Sequence, residues 1–585
     1  MKVSEKRTYL KRGSYLSERL AERKEIFSSD DPRIKQWLEV GGFTEERFRD
    51  RLAKDGLTLD DFTNILSNKE IITRDSTMMW ASKLDQILDE WEPSEDIDRK
   101  GVFITFYEPF LFYARAKLEQ ELQRLIRTYS KDSFLDISEV VRSIIENLYT
   151  KLYLLSIRTL VSEMHIAKVT DQLKGESSEE RYQYFVDAFL KDKEHLRELF
   201  QIYPVLARLM VETVERVIAT HLESIERFLI DLDDIRTTFV GDFSYLTKVE
   251  AGAGDTHQEG RSVSVFTFAS GDRLVYKPRS MAIDEHYNDF ITWINEKGFS
   301  YKLSFAKVLN RDTYGWQEFI SARECESREE IQRFYYRQGG YIAILYLFRS
   351  SDFHAENIIA HGEYPILIDL ETLFSNPTGI ITADTKIPKP LEELNSSVFA
   401  SLMLPVNFTP DMLFDFDLSA LGGEAGQVSK KIKNWVIDKP FTDEMRLVQK
   451  PAVLEGHDNR PYFKGEAVQA ADFVQEIEAG FREMYQIFLT HREELLAGSG
   501  PIFRFKEDRI RHVMRPTHTY AHFLEASTHP DYLQDGLQRV RLFDYFWRIT
   551  STFPKFSKVV SMECRDMLEH DIPFFTFEVG GKDIY

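Results

Sequence analysis

The chain has 585 residues, of which 43% are hydrophobic and 29% are charged, and its formal net charge is −21. This length exceeds what one hydrophobic core usually serves, so we expect two or three domains. The acidic balance excludes a typical nucleic-acid-binding protein, because phosphate backbones attract positive surface. Two cysteines cannot build a disulfide framework, the charged N-terminus is unlike a secretory signal, and we expect no transmembrane segment. These features predict a cytoplasmic location.

The first 235 residues predict a mostly helical region with few glycines or prolines. Apolar residues recur three or four positions apart, most regularly along residues 134–161, with charged residues interleaved. No catalytic motif stands out here, and we interpret the region as a packed helical domain. The apolar face along 134–161 consists of Val140, Val141, Ile144, Ile145, Leu148, Leu152 and Leu155.

Residues 236–330 contain a glycine-rich loop followed by a predicted hairpin. The loop, residues 249–260, reads VEAGAGDTHQEG. Two strand-like runs follow, 261–269 and 273–277, and the Ser-Gly-Asp sequence between them is a hairpin turn signal. The second run ends in Lys277. This order of loop, strand, turn and lysine-bearing strand is typical of the lobe that covers the nucleotide phosphates in kinases.

We therefore predict that Gly254 in the loop and Lys277 on the strand bind nucleotide. A lysine suits this task because its ammonium group acts as a point charge toward phosphate. The amphipathic segment 284–298 predicts a helix against the sheet. Such a helix supplies the carboxylate partner of the lysine in kinases, and both Glu285 and Glu296 are candidates.

Residues 331–585 begin with an apolar helical stretch and then carry the densest polar cluster of the sequence, SDFHAEN and ILIDLETLF. Kinases need a carboxylate that accepts the proton of the substrate hydroxyl, an amide five residues later that binds metal, and a second metal-binding carboxylate. Asp352 and Asn357 have that five-residue separation. Asp369 follows 12 residues later, after an apolar strand-like run. The ordered set favours a phosphotransferase that uses ATP and Mg²⁺.

Each of these features alone has a common structural explanation. A lysine on a strand is usually a solvated edge charge, since lysine is rarely buried. The Asp-x4-Asn spacing occurs by chance, and an aspartate after an apolar strand is often a loop residue. The argument therefore depends on the order of all four elements.

Six blocks of the sequence stand out together: RTLVSEMHIAKV, GDTHQEGRSV, LVYKPRS, SSDFHAENIIAHGEYPILIDLETLF, SSVFASLMLP and IRHVMRPTHTYAHFL. In this order they resemble the dehydratase domain of class II lanthipeptide synthetases, without the C-terminal cyclase domain. The resemblance implies a kinase-like enzyme that phosphorylates Ser and Thr of a ribosomally made precursor peptide, then eliminates phosphate to leave dehydroalanine or dehydrobutyrine. It also implies a precursor with a leader segment as partner.

The resemblance also implies roles for individual residues in two groups. In the group for phosphorylation, Lys277 and Glu371 bind nucleotide, and Asn357 and Asp369 hold magnesium. Asp352 and His354 form the catalytic loop. The group for elimination comprises Asp255 and His257 in the glycine-rich loop, and Arg511 and Thr517 in RHVMRPT. Arg515 could share or replace the role of Arg511, which is to grip phosphate oxygens.

The expected fold is α+β, with a kinase-like two-lobed core made of residues 236–330 and 331–585. We expect the helical region 1–235 to support the lobes and to contact the leader or another partner. The chain ends at Tyr585, and two cysteines cannot supply the zinc site of the cyclase. We therefore expect no cyclisation by this chain and a separate cyclase as a further partner. Two alternatives stay open: a kinase of the same fold that does not eliminate phosphate, and a non-catalytic descendant that binds a peptide.

Overall fold

The computed structural model describes residues 9–20, 32–67, 71–73, 78–92, 101–130, 134–252, 256–375, 393–394, 396–405 and 415–585. The predicted site residues Gly254 and Asp255 lie outside the described residues. The described residues combine helices with small antiparallel sheets, in agreement with the α+β class. The two-lobed kinase arrangement and the boundaries at residues 235 and 330 stay predictions.

The N-terminal part is helical as far as residue 238. The predicted amphipathic stretch forms the long helix α6, whose first turn is capped by the Asp136 side chain accepting from the amide of Glu139. All seven apolar residues predicted for its inner face are buried. The helices are α1 (Pro32–Gly41), α2 (Glu45–Lys54), α3 (Leu59–Ser67), α4 (Met79–Glu90), α5 (Ile104–Tyr129), α6 (Ile137–Val169), α7 (Ser178–Phe185), α8 (Lys193–Ile202) and α9 (Pro204–Thr238).

An antiparallel five-stranded sheet with the order β1-β2-β3-β5-β4 follows the long helices. The predicted hairpin is its centre: β2 pairs with β3, and Gly271 supplies the positive φ of 90° that the turn between them requires. Strand β2 begins three residues later than expected, because Arg261 pairs with His257 inside the loop. The strands are β1 (Leu246–Ala251), β2 (Ser264–Phe268), β3 (Arg273–Lys277), β4 (Val308–Asn310) and β5 (Gly315–Glu318).

Two helices and a short hairpin lead to the polar cluster. Helix α10 (Ala282–Glu296) follows β3, and helix α11 (Arg328–Phe348) begins at Ser327, whose side chain accepts from the amide of Glu330. The hairpin comprises β6 (Ile358–His361) and β7 (Tyr364–Leu367).

The C-terminal part contains further antiparallel strand pairs and short helices. The last pair joins β12 to β13 across more than sixty residues of chain, with Arg511 opposite Thr576. The elements are β8 (Val428–Asp438), β9 (Arg446–Val453), β10 (Tyr462–Phe463), β11 (Glu466–Ala467), α12 (Val474–Thr490), α13 (Arg492–Leu495), β12 (Arg509–His512), α14 (Thr517–Ala526), α15 (Pro530–Leu533), α16 (Gly536–Phe543), α17 (Ser557–Leu568) and β13 (Phe575–Glu578).

Three apolar clusters hold these elements together. The first joins helices α4 to α9 to the five-stranded sheet. The second joins α10, α11 and α12 to the β6–β7 hairpin and the β12–β13 pair. The third joins the N-terminal helices α1 to α3 to the C-terminal helices α14, α16 and α17. Within the described ranges, no helix is both long and apolar enough to cross a bilayer.

Candidate active site

The open end of the β6–β7 hairpin brings the two predicted magnesium ligands together. Asn357 directly precedes β6 and Asp369 lies two residues beyond β7, while Ile358 pairs with Leu367. The amide of Ile368 donates to the Asn357 carbonyl at 3.0 Å and extends the pairing to the site. Because both residues sit at the ends of paired strands, their positions are fixed by the backbone.

Lys277 reaches this hairpin from the five-stranded sheet. Only 4% of the residue is exposed, and its Nζ donates to the Ile368 carbonyl at 2.5 Å. The same Nζ lies 3.9 Å from Asp369 Oδ1. Burial lowers the pKa of the Lys277 ammonium group, and the charge of Asp369 opposes that effect. The predicted nucleotide lysine is therefore a buried cation beside a predicted metal-binding carboxylate.

Arg279 is the residue of the site that sequence reasoning missed. Its guanidinium lies 2.8 Å from Asp284 Oδ2, 3.3 Å from Asp369 Oδ1 and 3.9 Å from Glu371 Oε2. Burial would lower the pKa of Arg279, but Asp284 and Asp369 outweigh it and hold the pKa above its ordinary value. Asp284 is buried in the first turn of α10, so this arginine ties the helix to the hairpin end.

The carboxylate that helix α10 contributes to the cluster is therefore Asp284, which pairs with Arg279 and not with Lys277. Glu285, one of the two predicted partners of Lys277, instead accepts a hydrogen bond from Asn310 at 3.0 Å. Within the described residues, Asp369 is the one carboxylate that lies within ion-pair distance of the Lys277 ammonium. The signal for Arg279 was present in the quoted block LVYKPRS, two residues after the lysine.

Glu371 connects the phosphorylation group to the elimination group. Its Oε1 accepts from the guanidinium of Arg511 at 2.6 Å, and its carbonyl accepts from the Arg511 amide at 2.8 Å. Burial and the charge of Asp369 raise the pKa of Glu371, against the pull of Arg511. Burial would also raise the pKa of Asp369, but Lys277 and Arg279 outweigh it, so the pKa of Asp369 lies below its ordinary value.

The predicted catalytic loop follows α11. Asp352 has a left-handed backbone with φ of 66°, and 44% of its side chain is exposed. Its carbonyl accepts from the side-chain amide of Asn357 at 2.7 Å, which leaves the amide oxygen for a metal. His354 accepts from the amide of Glu356 through Nδ1, so its neutral ring carries the proton on Nε2, 4.0 Å from Asp352 Oδ1. The exposed carboxylate is thus free to meet a substrate.

The glycine-rich loop joins this site through the C-terminal segment 571–574, whose sequence is DIPF. His257 Nδ1 donates to the Ile572 carbonyl at 2.8 Å, and the amide of Gly260 donates to Asp571 at 3.0 Å. The ring of Phe574 lies 5.1 Å from the ring of His257 and 5.5 Å from the guanidinium carbon of Arg511. The segment therefore brings two of the predicted elimination residues, His257 and Arg511, next to one aromatic ring.

Thr517 and Arg515 are placed differently. Thr517 begins helix α14, half-buried, and its hydroxyl makes no hydrogen bond to any residue in the described part of the chain. Arg515 pairs with both carboxylate oxygens of the buried Glu563, at 2.7 and 3.0 Å. That ion pair holds the Arg515 guanidinium beside the third apolar cluster, whereas the Arg511 guanidinium faces the site.

The donor set fits Mg²⁺ better than a transition metal. The described residues contain no group of three or more His, Cys, Asp or Glu side chains arranged to hold a metal ion. Asn357 and Asp369 offer oxygen ligands, and Mg²⁺ is commonly held by one or two carboxylates together with water and substrate phosphates. Both cysteines are buried thiols with their own partners: Cys325 donates to the Gly362 carbonyl in the turn of the hairpin at 3.3 Å, and Cys564 donates to the Phe543 carbonyl at 3.4 Å.

Comparisons with known proteins place the chain in a family. The chain is 26% identical over 448 residues to the lacticin 481/lactococcin biosynthesis protein LcnDR2 of Lactococcus lactis subsp. lactis, a match that covers 73% of this chain and 46% of that protein. The chain thus spans about half the length of this relative. A family profile described as "Domain of unknown function (DUF4135)" matches residues 203–578, which include every predicted site residue. The chain therefore belongs to the DUF4135 family.

Proposed function

We propose that this protein dehydrates Ser and Thr side chains of a ribosomally made precursor peptide, by ATP-dependent phosphorylation followed by elimination of the phosphate. One observation carries the proposal most: the ion pair between Glu371 and Arg511 joins the residues predicted for phosphorylation to those predicted for elimination. The two steps of a dehydration need a shared site, because the phosphorylated side chain is the substrate of the second step.

In the first step, Asp352 accepts the proton of the Ser or Thr hydroxyl as its oxygen bonds to the γ-phosphorus of ATP and the bond to ADP breaks. His354 Nε2 lies 4.0 Å from the Asp352 carboxylate, on the same catalytic loop. Lys277 and Arg279 place positive charge where the nucleotide phosphates gather. Mg²⁺, held by Asn357 and Asp369, would neutralise negative charge on those phosphates.

In the second step, a base removes the α-proton, a carbon–carbon double bond forms and the Cβ–O bond breaks, so that phosphate leaves with the electron pair. We assign the base to His257, because Nδ1 donates to the Ile572 carbonyl and the lone pair of the neutral ring therefore lies on Nε2. Arg511 donates to the departing phosphate in a charge-assisted contact. Its exchange of partner, from Glu371 to phosphate, would accompany the step.

The relative supports the biological setting. Its name describes a protein of lacticin 481 and lactococcin biosynthesis, and we extend lanthipeptide biosynthesis to this chain as part of the proposal. A precursor peptide with a leader is then the substrate, a separate cyclase is a further partner, and the cytoplasm is the location.

Mass spectrometry tests the proposal directly. A Ser/Thr-rich precursor peptide encoded beside this gene is incubated with the protein, ATP and Mg²⁺, and we expect the loss of one water per modified residue. The variant Arg511→Ala should leave phosphorylated peptide instead, because phosphate loses its donor while Asp352 and Lys277 are unchanged. Arg509→Ala is the matched control, because Arg509 is an exposed arginine of the same strand that pairs with Glu578, and it should still dehydrate the peptide.

The outcomes separate the alternatives. Phosphopeptide from the wild-type protein would support the kinase without elimination. Absence of any mass change together with absence of ATP binding would support the non-catalytic descendant. Dehydration by Arg511→Ala at the wild-type rate would contradict the role given to this arginine.

A further inference from the structure

An apolar groove lies outside the candidate site, between helices α11, α12 and α13. Its volume is about 500 Å³. Tyr346, Tyr485, Leu489 and Leu496 line it and are 39%, 42%, 54% and 55% exposed, respectively. Large apolar side chains that share one exposed concave surface mark a binding site more often than isolated ones do.

Two arginines give this groove a charge opposite to that of the whole protein. Arg349 and Arg492 line the groove, and among its described lining residues there is no carboxylate. Neither guanidinium makes an ion pair or a hydrogen bond within the described part of the chain. The nearby Glu494 is already held by Trp293 and Lys297. The whole chain has a net charge of −21, whereas this apolar groove carries two cations that have no partner among the described residues. Such a groove favours an acidic partner.

The groove is also close to the predicted catalytic loop. Arg349 ends helix α11 and precedes Asp352 by three residues, so their Cα atoms are at most ~11 Å apart. The Arg349 carbonyl accepts from the Ser375 hydroxyl at 2.6 Å, and the Ser351 carbonyl accepts from the Thr372 hydroxyl at 2.6 Å. These bonds fix the end of the groove to the segment that follows Glu371.

We propose that this groove binds the leader segment of the precursor peptide as an amphipathic helix with acidic residues beside its apolar face. Apolar side chains three and four positions apart would enter the groove, and the acidic ones would pair with Arg349 and Arg492. A peptide held there has its remaining length within reach of Asp352. The inference rests on the proposed function for the identity of the peptide. The leader contact expected for the helical region 1–235 stays a separate prediction.

Binding without ATP tests the groove separately from catalysis. The probe is the N-terminal half of the precursor peptide encoded beside this gene, synthesised with a fluorescent label and titrated by anisotropy. The double variant R349E/R492E should weaken binding at least tenfold, because both cations are exposed and become repulsive. R446E is the matched control, since Arg446 is exposed on strand β9, pairs with Asp438 and does not line the groove. Melting curves establish that the variants are folded.

A second probe, in which every Asp and Glu of the leader is changed to Asn and Gln, should bind the wild-type protein as weakly as the normal leader binds R349E/R492E. Equal binding by wild type and R349E/R492E would overturn the inference, and so would the absence of binding by wild type. A wild-type dimer that R349E/R492E dissociates, seen by light scattering, would assign the groove to a second copy and also overturn it. Groove-dependent binding without dehydration in the presence of ATP would overturn the proposed function alone.

Discussion

Arg279 lies at the point where three separate parts of the chain meet. Its guanidinium contacts carboxylates of α10 and of the segment after β7, and Lys277 lies two residues before it. Replacing Arg279 by Gln leaves Asp284 buried without a cation, and breaking a buried pair costs about 3–5 kcal/mol. We expect R279Q to lower phosphorylation by about 100-fold, measured as ADP release, since Asp369 loses one of its two neighbouring cations.

Two comparisons isolate this effect. R446A removes an exposed arginine that pairs with Asp438 on the β8–β9 hairpin, and it should leave ADP release unchanged. R279K keeps the charge but not the forked geometry, so it should recover part of the activity. Wild-type ADP release by R279Q would show that Arg279 has no positioning role.

At this scale the sequence selects residues that carry recognisable chemistry. Lys277, Asp352, Asn357 and Asp369 could be selected because their order and spacing are constrained by strands and short loops, and their roles stay predictions. The contacts of Arg279 and Phe574 could not be predicted, since they depend on which distant groups these residues touch. Arg279 lies in a block that the resemblance quotes, but an arginine or a phenylalanine in a sequence is usually an ion-pairing or core residue.

At the scale of elements, the crossing of α11 and α12 depends on two glycines. A Cβ atom at Gly339 would lie 2.0 Å from the Ile477 carbonyl oxygen, and one at Gly480 would lie 1.9 Å from that of Tyr336. We expect G339A to destabilise the fold by about 3 kcal/mol, because the two backbones must separate and overpacking costs about 1–3 kcal/mol. Chemical denaturation measures the loss.

The matched substitution for G339A is G498A. Gly498 has nothing within 4 Å of its added Cβ and no positive φ, so the change should be close to neutral. Equal stability of the two variants would contradict the close crossing. Sequence predicts that both helices exist, but it does not show that these glycines face each other.

Helix α17 gives a prediction about pH. Burial, together with the charges of Asp571 and Glu569, raises the pKa of Asp566 to about 7. The unfolded carboxyl titrates near about 3.9, so the folded state binds the proton more tightly. Stability therefore falls as pH rises from about 4 to about 7, by at most about 4 kcal/mol. The variant Asp566→Asn removes this cost above pH 7 because its amide stays neutral.

Thermal melts at two pH values check the sign. D566N should melt at a higher temperature than wild type at pH 8, and the two proteins should melt together at pH 4. D531N is the control, since Asp531 is exposed on α15. If D566N raises the melting temperature by the same amount at both pH values, titration of this carboxyl is not the cause.

At the scale of the whole molecule, the two ends of the chain share one apolar cluster. Helices α1 to α3 pack on α14, α16 and α17, and Trp37 and Arg51 both donate to the buried Asp544. Local periodicity predicts these helices, but it carries no information about pairing across about 500 residues. The sequence-based division into consecutive regions predicted that residues 1–235 support the lobes, but it did not predict that the first helices pack on the last ones.

This shared cluster predicts that the N-terminal helices affect elimination more than phosphorylation. Helix α17 leads directly into segment 571–574, which contains Phe574 and accepts a hydrogen bond from His257. Lys277 and Asp369, in contrast, are supported by the other two clusters. R51A leaves Asp544 buried without its cation, a loss of about 3–5 kcal/mol. We expect R51A to accumulate phosphopeptide in a mass-spectrometric time course while the first step stays close to the wild-type rate. R49A is the control, since it removes an exposed arginine of the same helix and should dehydrate the peptide normally. An equal slowing of both steps by R51A would show that the third cluster supports the whole site and not the elimination residues in particular.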